Sequence, residues 1–170
     1  DQSLTRPGDE QREEKKKARL LIINEQLGAL EGKFAESVDS ESIVQWEAEK
    51  FIRGNVSVIE GNNDNEVTYI SDPGSQENFA EYEVRIPTEG TYSIDFRYAA
   101  KTSRPGSLII DGDKDNVIPV LAQVTGGWSS EYQRWNHETY VQLSPGEHVF
   151  RIESKPLMSH LDQIRLSRVH

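Results

Sequence analysis

Between residues 79 and 98, apolar side chains fall on every second position. Ala80, Tyr82, Val84 and Ile86 alternate with Phe79, Glu81, Glu83 and Arg85, and Tyr92, Ile94, Phe96 and Tyr98 alternate with Ser93, Asp95 and Arg97. Period two puts each apolar set on one face of a strand. Pro87-Thr88-Glu89-Gly90, between them, supplies the turn of a hairpin. The same pattern predicts strands at residues 108–110 running into Asp111-Gly112, at 117–124, at 140–143, at 148–152 after Ser144-Pro145-Gly146, and at 161–166. Roughly nine or ten strands with regular turn signals and no helical period predict an all-β fold, an antiparallel β-sandwich spanning residues 41–170. Long loops at 61–66, 71–78, 125–137 and 154–160 are where such a scaffold would build a binding site.

The first forty residues follow a different rule. Pro7-Gly8 marks an entry, acidic residues fill the next turns, and Lys15, Lys16, Lys17 and Arg19 follow, which predicts a helix over 9–37. Leu20, Ile23, Leu27, Leu30 and Phe34 recur at three and four residues, a stripe of only two heptads. Such a stripe can pack on the neighbouring domain, end a linker or support a weak dimer. Residues 1–40 are therefore read as an N-terminal helix or linker.

Charge narrows the partners. The chain of 170 residues has net charge −10, and residues 1–40 account for nine acidic and seven basic side chains. The remaining segment is the more acidic one and offers no phosphate-neutralising face, which argues against nucleic acid and anionic membranes. No apolar run is long enough to cross a bilayer. Cysteine is absent, so disulfides, thiolate metal sites and thiol redox chemistry are excluded. A β-rich domain without thiols fits an exported bacterial protein. The start at Asp1 fits an excerpt or a processed product.

Three carboxylates stand out. Glu47 and Glu49, two apart at the head of the sandwich, would share one strand face, and Asp162 shares parity with Ile164 and Leu166 and would point inward. Converging carboxylates call for a cation, and a hard ion with oxygen ligands, calcium above all, meets that need. The alternative is that one glutamate is solvated and the others pair with Arg or Lys. Two glutamates on one strand face leave no passage for a substrate between them, so a glycosidase acid–base pair is set aside. Asp111-Gly112-Asp113-Lys114-Asp115-Asn116 starts like a calcium loop but has Asn116 where glycine belongs and is read as a turn. His148 alternates with Phe150 and Ile152 and is read as a core residue.

The chain resembles the galactose-binding-like jelly-roll sandwiches of carbohydrate-binding module families 6 and 35. The resemblance rests on the order of Glu47-Ala48-Glu49, Val67-Thr68-Tyr69-Ile70, Ala80-Glu81-Tyr82-Glu83-Val84, Gly90-Thr91-Tyr92, Phe96-Arg97-Tyr98-Ala99, Asp111-Gly112, Thr125-Gly126-Gly127-Trp128, Leu143-Ser144-Pro145-Gly146 and Leu161-Asp162. The segments around Gln133-Arg134-Trp135 and Pro156 to Asp162 resemble a variant of large exported bacterial proteins, some with cytochrome-like domains. The resemblance implies a non-catalytic module that brings an exported protein, secreted, periplasmic or at the cell surface, to a polysaccharide or oligosaccharide. It implies a structural calcium at Glu47, Glu49 and Asp162, and an aromatic pair at Tyr69 and Trp128 on which sugar C–H faces stack. His160 stands where these families often have asparagine. Trp135 and Arg134 are additional candidates; the loop residues Arg104 and Arg134 are read as solvated charges, with a grip on the carboxylate or sulfate of an acidic glycan as the alternative. The rival implication is a protein-binding or structural sandwich that has lost its sugar site.

Overall fold

The computed structural model describes residues 12–17, 42–74 and 77–170. Packing divides the chain into two units, Asp1–Ser40 and Glu41–His170. Of the first, residues 12–17 are helical. The Leu20–Phe34 stripe lies outside the described residues.

The second unit is built of antiparallel strands in two sheets. In chain order they are β1 (Ile43–Glu47), β2 (Arg53–Gly54), β3 (Ser57–Ile59), β4 (Tyr69–Ser71), β5 (Asn78–Ile86), β6 (Gly90–Ala99), β7 (Gly106–Ile110), β8 (Ile118–Val120), β9 (Arg134–Leu143), β10 (Gly146–Ser154) and β11 (His160–Arg168). One sheet runs β3-β4-β11-β6-β9, with β1 also pairing with β11. The other runs β2-β5-β10-β7-β8. Neighbours such as β11 and β6 are far apart in sequence, so the order is that of a sandwich and not of a simple meander.

Alternation explains the core. The even residues of β5 and β6 named above are all buried, and their facing rows close over Ile164 and Leu166 of β11 and Phe150 and Ile152 of β10. Trp46 of β1 reaches between the sheets, its ring 5.8 Å from those of Tyr82 and Phe150. Two expected strand limits move. The expected strand over 117–124 is reduced to three residues, because Leu121 turns the backbone to φ 62° at the end of β8. β9 begins at Arg134 rather than 140, since pairing with β6 orders residues that carry no clear alternation. At Asp111-Gly112 both residues have positive φ and Asp113 N donates to Ile110 O, the signature of a type I′ turn.

His148 ties that turn to the β9–β10 turn. Its Nδ1 lies 2.6 Å from Asp111 Oδ2 and its Nε2 lies 2.7 Å from Ser144 O. Both partners only accept, so the ring that satisfies both is the doubly protonated imidazolium. Burial pulls its pKa down, but the Ser144 carbonyl, Asp111 and Glu147 outweigh it and hold the group above 6.5. A raised folded pKa means that the contribution is complete below the unfolded value and lost as pH rises through the folded one. Melting curves between pH 6 and 9 should therefore show stability falling as His148 loses its proton, and His148→Gln should flatten that fall. A parallel slope in the variant would remove His148 as its source.

Candidate functional site

One end of the sandwich carries two loops that meet. The 61–67 loop is closed on itself: Asn62 N donates to Glu66 Oε2 at 2.8 Å, Glu66 N to Asn63 O, and Gly61 N to Thr68 Oγ1. The second loop starts at Thr125, whose N donates to Ala100 O and whose Oγ1 accepts from Ala100 N at 2.8 Å. Gly126 then takes φ 110°, and Gly127 passes so close to Tyr132 that a Cβ there would stand 2.4 Å from its ring. Only glycine lets the backbone make that approach. Ser130 Oγ accepts from Val67 N at 3.0 Å and joins the loops. Between them lies a cavity of about 230 Å³ whose wall includes Tyr69, Trp128, Ile59, Glu60, Asn62 and Glu66. Gly127→Ala should displace Trp128 or Tyr132, weakening any ligand held on that wall and lowering the melting temperature by a few degrees. Unchanged binding and melting would mean that the close approach is dispensable.

The expected aromatic pair is present, but it is not an open slot. His160 stacks on Tyr69 with ring centroids 4.3 Å apart and 12° between planes, and its ring lies 5.0 Å from that of Trp128. On Trp128 the guanidinium of Arg104 sits 3.9 Å from the ring centroid. His160 Nδ1 donates to Trp128 O at 3.0 Å, which fixes the tautomer. Burial, with the nearby charge of Arg104 adding to it, keeps His160 below its ordinary pKa despite that carbonyl, so the ring is neutral at pH 7. His160 thus fills the space between the rings instead of presenting a polar group on the cavity wall. A ligand meets the flanks of Tyr69 and Trp128 that face the cavity.

Arg134 and Trp135 do not join this site. Arg134 Nη1 donates to Glu131 O at 2.7 Å and Gln133 O at 2.8 Å, bracing its own loop. Trp135 pairs across β6 with Arg97, and Arg97 in turn with Gln163, a row on the outer face of the six-stranded sheet. The guanidinium of Arg165 lies 4.1 Å from the Trp135 ring centroid. Arg104 is engaged as well, donating to Met158 O at 2.9 Å and standing 3.8 Å from Asp72. On the same outer face, Ser93 Oγ and Asp95 Oδ1 both address Nδ1 of His137, at 2.9 Å and 3.2 Å. A nucleophile–base relay needs them on opposite ring nitrogens. The residues that sequence reasoning passed over are Glu60, Asn62 and Glu66. Their loop stood out by length, but nothing in its composition distinguished these side chains from solvated ones.

The carboxylates gather by a route other than strand parity. β1 ends at Glu47, and Ala48 and Glu49 form a turn, so the two glutamates do not share one strand face. In β11 the register slips between Leu161, opposite Tyr98, and Gln163, opposite Arg97. Asp162 is the extra residue of this bulge, and Leu161 takes the core position while Asp162 is buried beside Arg97. Ala48 N donates to Asp162 O at 2.8 Å, which fastens the turn to the bulge. Arg97 Nη1 donates to Asp162 Oδ2, and Gln163 Nε2 donates to Glu47 Oε1 at 2.7 Å. Glu49 Oε2 is buried without a hydrogen-bond partner among the described residues. Burial, Glu47 and Asp162 together raise the pKa of Glu49, and burial raises that of Asp162 against the pull of Arg97. Among the described residues, no three His, Cys, Asp or Glu side chains are drawn into a ready metal cage.

No family model matches the sequence, and no curated protein matches it either. The fold does match solved structures. The C-terminal family 6 carbohydrate-binding module of a laminarinase from Zobellia galactanivorans is 21% identical, with a TM-score of 0.60, over 74% of this chain and 99% of that one. A family 6 module of lichenase 5A from Cellvibrio mixtus, solved with cellotriose, is 23% identical, with a TM-score of 0.58, over 75% and 98% of the two chains. A family 35 module from Clostridium thermocellum is 22% identical, with a TM-score of 0.56, over 74% and 97%. Residues 41–170 thus have the β-sandwich fold of family 6 and family 35 carbohydrate-binding modules.

Proposed function

We propose that this sandwich is a non-catalytic carbohydrate-binding module that targets a larger exported bacterial protein to a polysaccharide. The observation that carries the reading is the cavity of about 230 Å³ where the flanks of Tyr69 and Trp128 converge between two mutually braced loops. Aromatic flanks offer the apolar contact that sugar C–H faces need, and Asn62, Ser129 and Glu66 offer directional partners for hydroxyls. The volume falls below the range of about 300–1,000 Å³ common for drug-sized ligands, so the cavity suits one sugar ring or a chain end. Binding of this size is weak, and retention comes from several modules or a linked domain acting together.

In this proposal Glu47, Glu49 and Asp162 hold a structural calcium ion. The unpartnered Glu49 Oε2 and the mutual repulsion of these groups support it. The ion would add positive charge where the turn after β1 meets the β11 bulge. An anionic glycan is less well served, because Arg104 and Arg134 are committed elsewhere.

The test is affinity electrophoresis against a panel of soluble polysaccharides, neutral, cationic and acidic. Retardation by at least one of them is expected. His160 between the rings favours a second reading, a sandwich that serves protein contacts alone. Free migration in every polymer would select that reading over the first.

A further inference from the structure

Among the described residues, the wall of the cavity carries two carboxylates, Glu60 and Glu66, and no Lys, Arg or His. Glu66 is held in place, since its Oε2 accepts from Asn62 N at 2.8 Å, and the backbone is pinched behind it where a Cβ on Gly61 would lie 2.2 Å from Glu66 O. Two arginines beside the Trp128 loop are used otherwise. Arg104 covers the Trp128 ring and donates to Met158 O, and Arg134 donates to Glu131 O and Gln133 O. A ligand resting on the Tyr69 and Trp128 flanks therefore meets negative charge at the rim, in a protein of net charge −10.

We propose that the cavity selects an amino sugar with a free ammonium group, paired with Glu66 and Glu60, over neutral sugars and against uronic acids. The inference rests on the sugar-binding reading above and assigns its ligand class. An ammonium group would form charge-assisted hydrogen bonds to a carboxylate whose position is already set, so little ordering is needed on binding. The same cation is attracted to the faces of neighbouring aromatic rings. A uronate at that position would meet two like charges and the field of an acidic domain.

The experiment is calorimetric titration of the whole chain with chitotriose, its fully N-acetylated counterpart, cellotriose and trigalacturonate, at low and moderate salt. Chitotriose should bind about fivefold more tightly than the neutral trimers at low salt, with the advantage shrinking as salt rises. Trigalacturonate should bind most weakly. Glu66→Gln should erase most of the preference for the cationic trimer over the neutral ones, while Trp128→Ala should lose binding of every trimer. Equal affinity for chitotriose and its acetylated form, or tighter binding of trigalacturonate, would overturn the proposal while leaving the sugar site standing. Chitotriose binding equally to parent and Trp128→Ala would also overturn it, since net charge alone would then hold the cation. Failure of all four trimers to bind would take down the sugar-site reading and this proposal together.

Discussion

Chelation with EDTA at neutral pH should lower the melting temperature by about 5–10 °C, and excess calcium should restore it. The expectation follows from what the protein pays to keep Glu49 and Asp162 ionised. Both have pKa values raised above 4.5 and 3.8, first by burial. For a raised group, the stabilising contribution is complete below the unfolded pKa and is lost as pH rises through the folded one. At pH 7 both groups are therefore charged at a cost, which Arg97 offsets only at Asp162. A divalent ion bound to the folded state alone removes that cost. In EDTA, stability should rise on going from pH 7 toward 5, and with calcium that rise should vanish. Glu49→Gln keeps the shape and removes one charge, so it should melt higher than the parent in EDTA and respond less to calcium. If chelation, calcium and Glu49→Gln all leave the curve unmoved, Glu47, Glu49 and Asp162 are not ligands.

Truncation of Trp128 to alanine should weaken glycan binding at least about tenfold, enough to abolish retardation in an affinity gel. The side chain forms one wall of the cavity, and its ring lies 5.0 Å from that of His160, which stacks on Tyr69. The variant will also lose some stability. Trp128 packs against the core and carries Arg104 on its face, so the melting temperature should fall by a few degrees, and binding must be measured well below the transition. Trp128→Phe separates the two effects, because it retains packing and a smaller stacking face. It should melt near the parent and bind with intermediate affinity. Parent-like retardation of Trp128→Ala would place the sugar elsewhere on the sandwich.

The strands that the sequence made legible are the long, half-buried ones. Along β5, β6 and β10 one face meets the core and the other meets water, so composition alternates and register is readable. The limits of β9 and β8 escaped this reading. β9 is an edge strand whose Trp135, His137 and Tyr140 lie on the outer face, and the extra residue Glu138, opposite the step from Ile94 to Asp95, breaks its rhythm. β8 is cut short by the backbone of Leu121, a conformation that nothing in an apolar residue type announces.

The candidate site divides in the same way. Thr125-Gly126-Gly127-Trp128 is readable as a tight, glycine-dependent loop presenting an aromatic, and Tyr69 as an aromatic at a strand start. For Glu47, Glu49 and Asp162 the sequence predicts inward-facing positions by strand parity, and the backbone places them otherwise. Parity along ideal strands does not survive a turn at Ala48-Glu49 and a bulge at Asp162. Arg134 and Trp135, additional candidates in the sequence, begin strand β9 and lie away from the cavity wall.

By itself, then, the sequence determined the sandwich: which side chains are buried, where the turns fall, and that acidic and aromatic groups sit at its ends. These are consequences of local periodicity, because each strand has to hide one face whatever its partners are. Tertiary structure alone decided which loops touch, that His160 fills the gap between Tyr69 and Trp128, and that Glu60 and Glu66 set the charge of the cavity. Those facts depend on register, bulges and contacts such as Ser130 with Val67, formed between residues far apart in the chain, and no local pattern records them.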